Sequence, residues 1–307
     1  MNRNKMRIPP VVTGVLFASL STMIGGVTVV LTRLTISQSD SLTFASVRYG
    51  LAAIFLLAVL LITARIPRVS RRDFVWLGIF GVIMFSGFPF FMTRALEDTT
   101  AARGALVFAT LPLTTIVIGA LFRIERLTLR KIIGIGIAIT GTSIVLGESV
   151  AAAAPNALRG DAFMFLAILC AAFFNVFSIG YFKRYGSLAV VSLTMTIGSA
   201  VLFALAIAFG HPFSGSLDFD LQGWFIMFLL AIPGAALMNF LWGRALQLIT
   251  PTQATITVGL NPVTALFLGA WILSEPITVR IIIGVALLIT AIIVTTSDNR
   301  APTAKTR

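Results

Sequence analysis

Charge is what this sequence has least of. Only 11% of its 307 residues are charged, and the mean hydropathy is +1.00. A soluble domain carries about 25% charge, so an aqueous globular fold is excluded. Histidine and cysteine are scarcer still, with one of each, His211 and Cys170. One histidine excludes His-based triads and multi-His metal sites. One thiol makes no intrachain disulfide and no metal site. Cys170 lies inside an apolar run and reads as a buried small residue. No P-loop is present, so the chain does not hydrolyse ATP itself. The net charge of +12 is not a nucleic-acid footprint. No basic cluster is interleaved with aromatics, as such a site needs. In a membrane protein, basic residues mark the cytoplasmic loops.

What remains is apolar, at 58% hydrophobic residues. A bilayer core of about 30 Å needs about 20 apolar residues per helix. The runs place helices over 11–31, 42–64, 72–95, 101–122, 130–147, 160–182, 188–209, 221–243, 251–273 and 279–297. These ten spans leave only short loops and no soluble module. The first run follows Arg3, Lys5 and Arg7 and resembles a signal peptide. It has no cleavage signature and aligns with a later helix, so it reads as helix 1.

The stretch from Ala101 to Ser149 recurs 150 residues later, from Pro251 onward. Pro112 falls on Pro262, Thr114 on Thr264 and Gly119-Ala120 on Gly269-Ala270. Glu125 falls on Glu275, Thr128 on Thr278, Arg130 on Arg280 and Gly134 on Gly284. Upstream, Arg94-Ala95-Leu96 falls on Arg244-Ala245-Leu246. Shared hydrophobicity does not align Glu with Glu or Pro with Pro, so the match indicates an internal duplication. The pattern is a proline, small apolar residues, an acid in E-R-L-T or E-P-I-T, and a glycine six residues after the Thr. It resembles the EamA-type repeat of the ten-helix drug/metabolite transporters, over nearly the whole chain.

The resemblance implies an all-α integral membrane protein of ten transmembrane helices in two inverted five-helix repeats. The repeats are 11–148 and 158–297, with a small, proline-broken linker at 148–159 and a cytoplasmic tail at 298–307. Five helices is an odd number, so the second copy is inverted in the bilayer. With the N-terminus inside, 17 Lys and Arg lie on the inner side and 5 on the outer, Arg48 excepted. Both termini are therefore expected to be cytoplasmic. The Glu125 turn carries Arg123, Arg126 and Lys131, whereas its copy at Glu275 has Leu273, Pro276 and Ile281. The expected location is a cell membrane, the bacterial inner membrane.

No catalytic constellation appears. Glu125 and Glu275 read as solvated turn carboxylates that orient the next helix, with Thr128 and Thr278 at its start and a coupling-ion role as the remote alternative. Arg48, about two turns into helix 2, reads as snorkelling toward the outer interface, with a functional ion pair inside the bundle as the alternative. Glycine spacings such as Gly134-Ile135-Gly136 read as helix packing. Pro112 and Pro262 each interrupt an apolar helix. They are read as matched hinges that open backbone to a cavity, with a static kink as the plainer alternative.

The family fold implies a cavity between helices 1, 3, 4, 6, 8 and 9. Gly26, Thr28 and Arg33 resemble the family's first-helix motif, with Gly25 where an aromatic is usual. Asn175, Ser178 and Lys183 are their counterparts in helix 6. The expected substrate-binding residues are Gly26, Thr28, Phe91, Thr110, Asn175, Ser178, Asn239, Trp242, Thr257 and Asn261. Phe88, Phe90, Phe108 and Phe174 add aromatic surface around them. No Asp or Glu lies near the midpoints of these helices, and no central Lys or Arg is evident. A buried unpaired cation is costly, so a cationic drug would need an acid. The walls suit a neutral or zwitterionic, partly apolar metabolite.

Three readings follow. The first is a secondary transporter that exports neutral or aromatic amino acids, or related small metabolites, by alternating access. Helix-end backbone groups at the proline breaks would then hold the two termini of the cargo. The second is a multidrug or nucleotide-sugar carrier on the same fold. The remote third is a membrane scaffold or enzyme. No cofactor, metal or nucleic acid is expected. The partners are the small-molecule substrate and the lipid bilayer, and a homo-oligomer is left open.

Overall fold

The computed structural model describes residues 9–35, 39–63, 67–98, 104, 107–146, 157–214, 217–273 and 279–297. The Glu275 turn with Thr278, most of the 148–159 linker, the 298–307 tail and the basic residues Arg3, Lys5 and Arg7 lie outside the described residues. All regular secondary structure among the described residues is helical. The elements are α1 (Pro10–Thr35), α2 (Ser41–Thr63), α3 (Arg71–Val82), α4 (Phe88–Asp98), α5 (Leu111–Leu121), α6 (Leu129–Leu146) and α7 (Ala157–Phe177). They continue as α8 (Ile179–Tyr185), α9 (Ser187–Phe209), α10 (Leu221–Ala231), α11 (Met238–Leu248), α12 (Pro251–Ile256), α13 (Leu260–Leu273) and α14 (Val279–Thr296). Six stretches are long and apolar enough to cross a bilayer: Pro10–Thr32, Ser41–Thr63, Arg71–Asp98, Leu158–Phe177, Ser187–Phe209 and Leu221–Leu248.

Helix starts carry ordinary chemical signals. Asp220 Oδ1 accepts from the Gly223 N–H at 2.6 Å. Thr250 and Gln253 form a reciprocal capping box ahead of α12. Both satisfy backbone donors that have no partner inside the helix. Between α8 and α9 the chain turns at Gly186, whose φ of 83° is open to glycine at little cost.

Several spans expected to be regular contain irregular turns. A π turn over Ile83–Gly87 joins α3 to α4, and a second over Ile232–Leu237 joins α10 to α11. Shifted by 150 residues, the two coincide within a residue. In the second, Pro233 removes one N–H from the ladder, and an inserted residue absorbs the defect. The first has no proline. It lies where α3 is pressed most closely onto α9. The span expected over 160–182 stops at Phe177, with Ser178 ahead of α8. The span over 251–273 contains a 3-10 turn at Thr257–Gly259.

Packing exchanges partners between the halves. α1 lies on α11 and α13, and α7, its counterpart 150 residues later, lies on α4 and α5. α9 lies on α3 and the first π turn, and its counterpart α2 lies against α10 and the second. α6 packs along α14. The α9–α3 contact depends on glycine. A Cβ on Gly198 would strike the backbone of Gly81, and one on Gly81 would strike Thr194. Ser86 Oγ donates across this contact to the Gly198 carbonyl at 2.6 Å. Small residues let membrane helices approach this closely.

The interior is aromatic. Phe80, Phe85, Phe174 and Phe182 are buried. Phe174 meets Phe85 edge-on at 6.1 Å and Phe182 at 6.0 Å. Phe174 is thus a core ring. Outside, Ile54, Ile62, Leu121 and Phe225 are exposed, as a lipid-facing surface requires. Cys170 on α7 is half-buried. Its Sγ lies 3.4 Å from where a Cβ on Gly87 would sit, against the first π turn.

Candidate substrate site

α1 meets the break before α13 at glycines. A Cβ on Gly26 would strike the Asn261 carbonyl and the Thr264 side chain. One on Gly25 would sit 2.8 Å from Asn261 Oδ1. That oxygen is buried and accepts no hydrogen bond. A buried amide oxygen left unpaired costs about 1–3 kcal/mol, so this one stands out. One turn along α1, Thr28 is buried and donates to the Gly25 carbonyl at 2.7 Å. Its methyl faces Gly234, inside the second π turn.

That π turn is held from α2. Arg48 Nη2 donates to the Gly234 carbonyl at 2.8 Å, and Nε donates to the Leu230 carbonyl at 3.2 Å. Arg48 therefore does not snorkel to the outer interface. The irregular turn offers it carbonyls that a regular ladder would have used. A cation is thus present among these helices, held by backbone carbonyls and, among the described residues, by no ion pair.

A second polar pair joins α7 to α11. Trp242 Nε1 donates to Asn175 Oδ1 at 2.8 Å. Asn175 is 2% exposed, and an unpaired amide there would be costly. Asn239 donates to the Ala235 carbonyl of its own helix at 2.9 Å. Ser178 donates to Phe174, Thr257 to Ala254 and Thr110 to Val107, each within one turn. Phe91 stacks on Phe163 at 6.4 Å. So Gly26, Thr28 and Asn261 come together, and so do Asn175 and Trp242. No described hydrogen bond or ring contact joins Phe91 or Thr110 to either group. Pro112 lies in the first turn of α5 and Pro262 is the third residue of α13, each directly after an irregular turn. Two surface cavities, of about 260 and 360 Å³, are lined by none of these residues.

Glu125 is not a solvated turn residue. It is 7% exposed. Its Oε1 accepts from Lys131 Nζ at 2.7 Å, and Oε2 accepts from the Thr252 hydroxyl at 2.9 Å and the Thr252 N–H at 3.2 Å. The carboxylate clamps the α5–α6 turn onto the start of α12, where helix N–H groups favour an anion. Thr128 does not cap α6, because its buried hydroxyl has no partner. Arg184 Nη1 and the Tyr185 hydroxyl both donate to Asp73 Oδ2, joining α8 to α3. Among the described residues no group of three or more His, Cys, Asp or Glu could hold a metal ion.

Comparison with known proteins assigns this architecture. The model of the EamA-like transporter family matches residues 12–147 and again 158–297. The uncharacterized transporter YyaM of Bacillus subtilis (strain 168) is 25% identical over 288 residues, covering 92% of this chain and 93% of the relative. An uncharacterized transporter of Archaeoglobus fulgidus is 24% identical, over 82% of this chain and 87% of the relative. One solved crystal structure superposes with a TM-score of 0.80 at 17% identity, covering 93% of this chain and 97% of that chain, which is a likeness of fold. The doubled match accounts for the 150-residue repeat, and the chain belongs to the EamA-like transporter family.

Proposed function

We propose that the protein is a secondary transporter that exports neutral or aromatic amino acids, or related small metabolites, by alternating access. Its ten transmembrane helices form two inverted five-helix repeats, 11–148 and 158–297, with both termini cytoplasmic. The exchange of partners between the halves supports this arrangement, since a pseudo-two-fold relation swaps equivalent helices. The basic bias of 17 inner to 5 outer residues supports the orientation. Reporter fusions at His211 and at the C-terminus are expected to report opposite sides of a bacterial inner membrane. The same side for both ends this topology.

The observation that carries the substrate reading is Asn261. It places an unpaired acceptor at the break before α13, against glycines of α1 that leave no side chain in the way. Alternating access would turn on the irregular segments before Pro112 and Pro262. Cargo would meet Gly26, Thr28, Asn261, Asn175, Ser178, Asn239, Trp242 and Thr257, with Phe91 and Thr110 entering as the helices part. Hydrogen bonds and aromatic contacts of about 1 kcal/mol each give weak binding, which suits release.

The test is competition for flux through the purified protein in liposomes. Neutral amino acids are expected to inhibit it, and quaternary cations and sugar phosphates are not. A quaternary cation as the better competitor replaces this reading with a multidrug carrier.

A further inference from the structure

Arg48 has more hydrogen-bonding capacity than its surroundings use. A guanidinium carries five N–H donors in a planar fork. Here two hydrogen bonds are made, both to backbone carbonyls, one at the end of α10 and one in the second π turn. Among the described residues no carboxylate pairs with Arg48. The four described ion pairs use Arg94, Lys131, Arg159 and Arg184 instead. A cation eight residues into an apolar membrane helix, held by two backbone carbonyls and the Tyr49 ring 5.5 Å away, is left short of counter-charge. Its remaining N–H groups are suited to a planar anion, which a guanidinium holds in two-point fashion.

The surroundings point the same way. Arg48 Nη2 lies 3.8 Å from where a Cβ on Gly234 would sit, and the Thr28 methyl occupies the same spot. Thr28 is one helical turn from Gly25, about 4.5 Å in rise. Gly25 in turn faces the unpaired Asn261 oxygen. A donor lacking an anion and an acceptor lacking a donor thus lie one turn apart along α1. An ammonium group would satisfy the second, as a carboxylate would the first.

We propose that Arg48 and Asn261 are the two poles of a zwitterion site, with Arg48 holding the carboxylate of the cargo and Asn261 Oδ1 accepting from its ammonium. This deepens the amino-acid reading above and rests on it. It also replaces the uncharged recognition that sequence reading favours.

The experiment follows uptake of labelled phenylalanine by liposomes containing the full chain. Competitors are phenylalanine, phenylalaninamide, which lacks the carboxylate, and 3-phenylpropionate, which lacks the ammonium. In the unaltered protein phenylalanine is expected to compete at least about tenfold better than either, since hydrogen bonds to charged groups are the strong ones. Arg48→Gln should erase the margin over phenylalaninamide alone. Asn261→Leu, which supplies the residue found at the first-repeat position Leu111, should erase the margin over 3-phenylpropionate alone. Arg48→Lys keeps the cation without the fork, guards against misfolding, and should retain a reduced margin. If Arg48→Gln and Arg48→Lys both keep the full margin, the guanidinium is only a clasp on the π turn and the proposal is overturned, while the amino-acid reading stands. If phenylalanine does not move at all, the amino-acid reading fails. Thermal unfolding in detergent then decides the Arg48 proposal. Protection by 3-phenylpropionate in the unaltered protein but not in Arg48→Gln upholds a carboxylate site there, and equal or absent protection overturns it.

Discussion

Replacing Glu125 with alanine is expected to lower the unfolding temperature of the detergent-solubilised protein by about 10 °C, from a loss of about 3–5 kcal/mol. The change strands Lys131 Nζ, whose side chain is 7% exposed, beside the Arg126 carbonyl alone. It also removes the acceptor for both the hydroxyl and the N–H of Thr252. Glu125→Gln keeps an oxygen for Thr252 but not the ion pair, and should fall between. The paired change Glu125→Gln with Lys131→Met should recover part of the loss, because no charge is left buried without a partner. Glu125→Ala unfolding at the temperature of the unaltered protein would show that the carboxylate is solvated after all.

A side chain at Gly198 should do comparable damage by a different route. Its Cβ would lie closer to the Gly81 backbone than real Cβ atoms approach anything. Backbone cannot rotate aside as a side chain does, so α9 and α3 must separate. Separation breaks the bond from Ser86 and opens the packing around Phe85. Gly198→Val is expected to cost about 3 kcal/mol or more and to cut the yield of monodisperse protein at least about tenfold. Gly78→Ala, on the same helix as Gly81, is the control. A Cβ there would meet only the tip of Ile197 at 3.7 Å. That change should be neutral or slightly stabilising, because alanine favours the helix. Size-exclusion profiles of the two variants settle the matter. Equal profiles would mean that the helices do not pack through these glycines.

The repeat and its landmarks were legible because they depend on residue type at a fixed spacing. Proline announces a broken helix from either copy, and the breaks before Pro112 and Pro262 stand where the spacing put them. The π turns were not legible. Only Pro233 hints at one of them, and the other arises where two helices are forced together. Glu125 was misread because its partner Thr252 is 127 residues away. Arg48 was expected at the interface or in an ion pair because its actual partners are backbone carbonyls, which leave no trace in the residue alphabet. Asn175 and Trp242 were both singled out for a polar cavity wall. Their meeting across 67 residues needed the fold. Asn239 turned back on its own helix, which satisfies an amide without any outside partner.

The lone thiol of Cys170 has a practical consequence. It sits against Gly87 at the contact between α7 and the first π turn, and the chain holds no second cysteine. A nitroxide or an environment-sensitive dye attached there needs no background of cysteine removal. Its spectrum reads the gap between two helices from opposite halves of the sequence. The protein thus carries, unaltered, its own gauge of that gap.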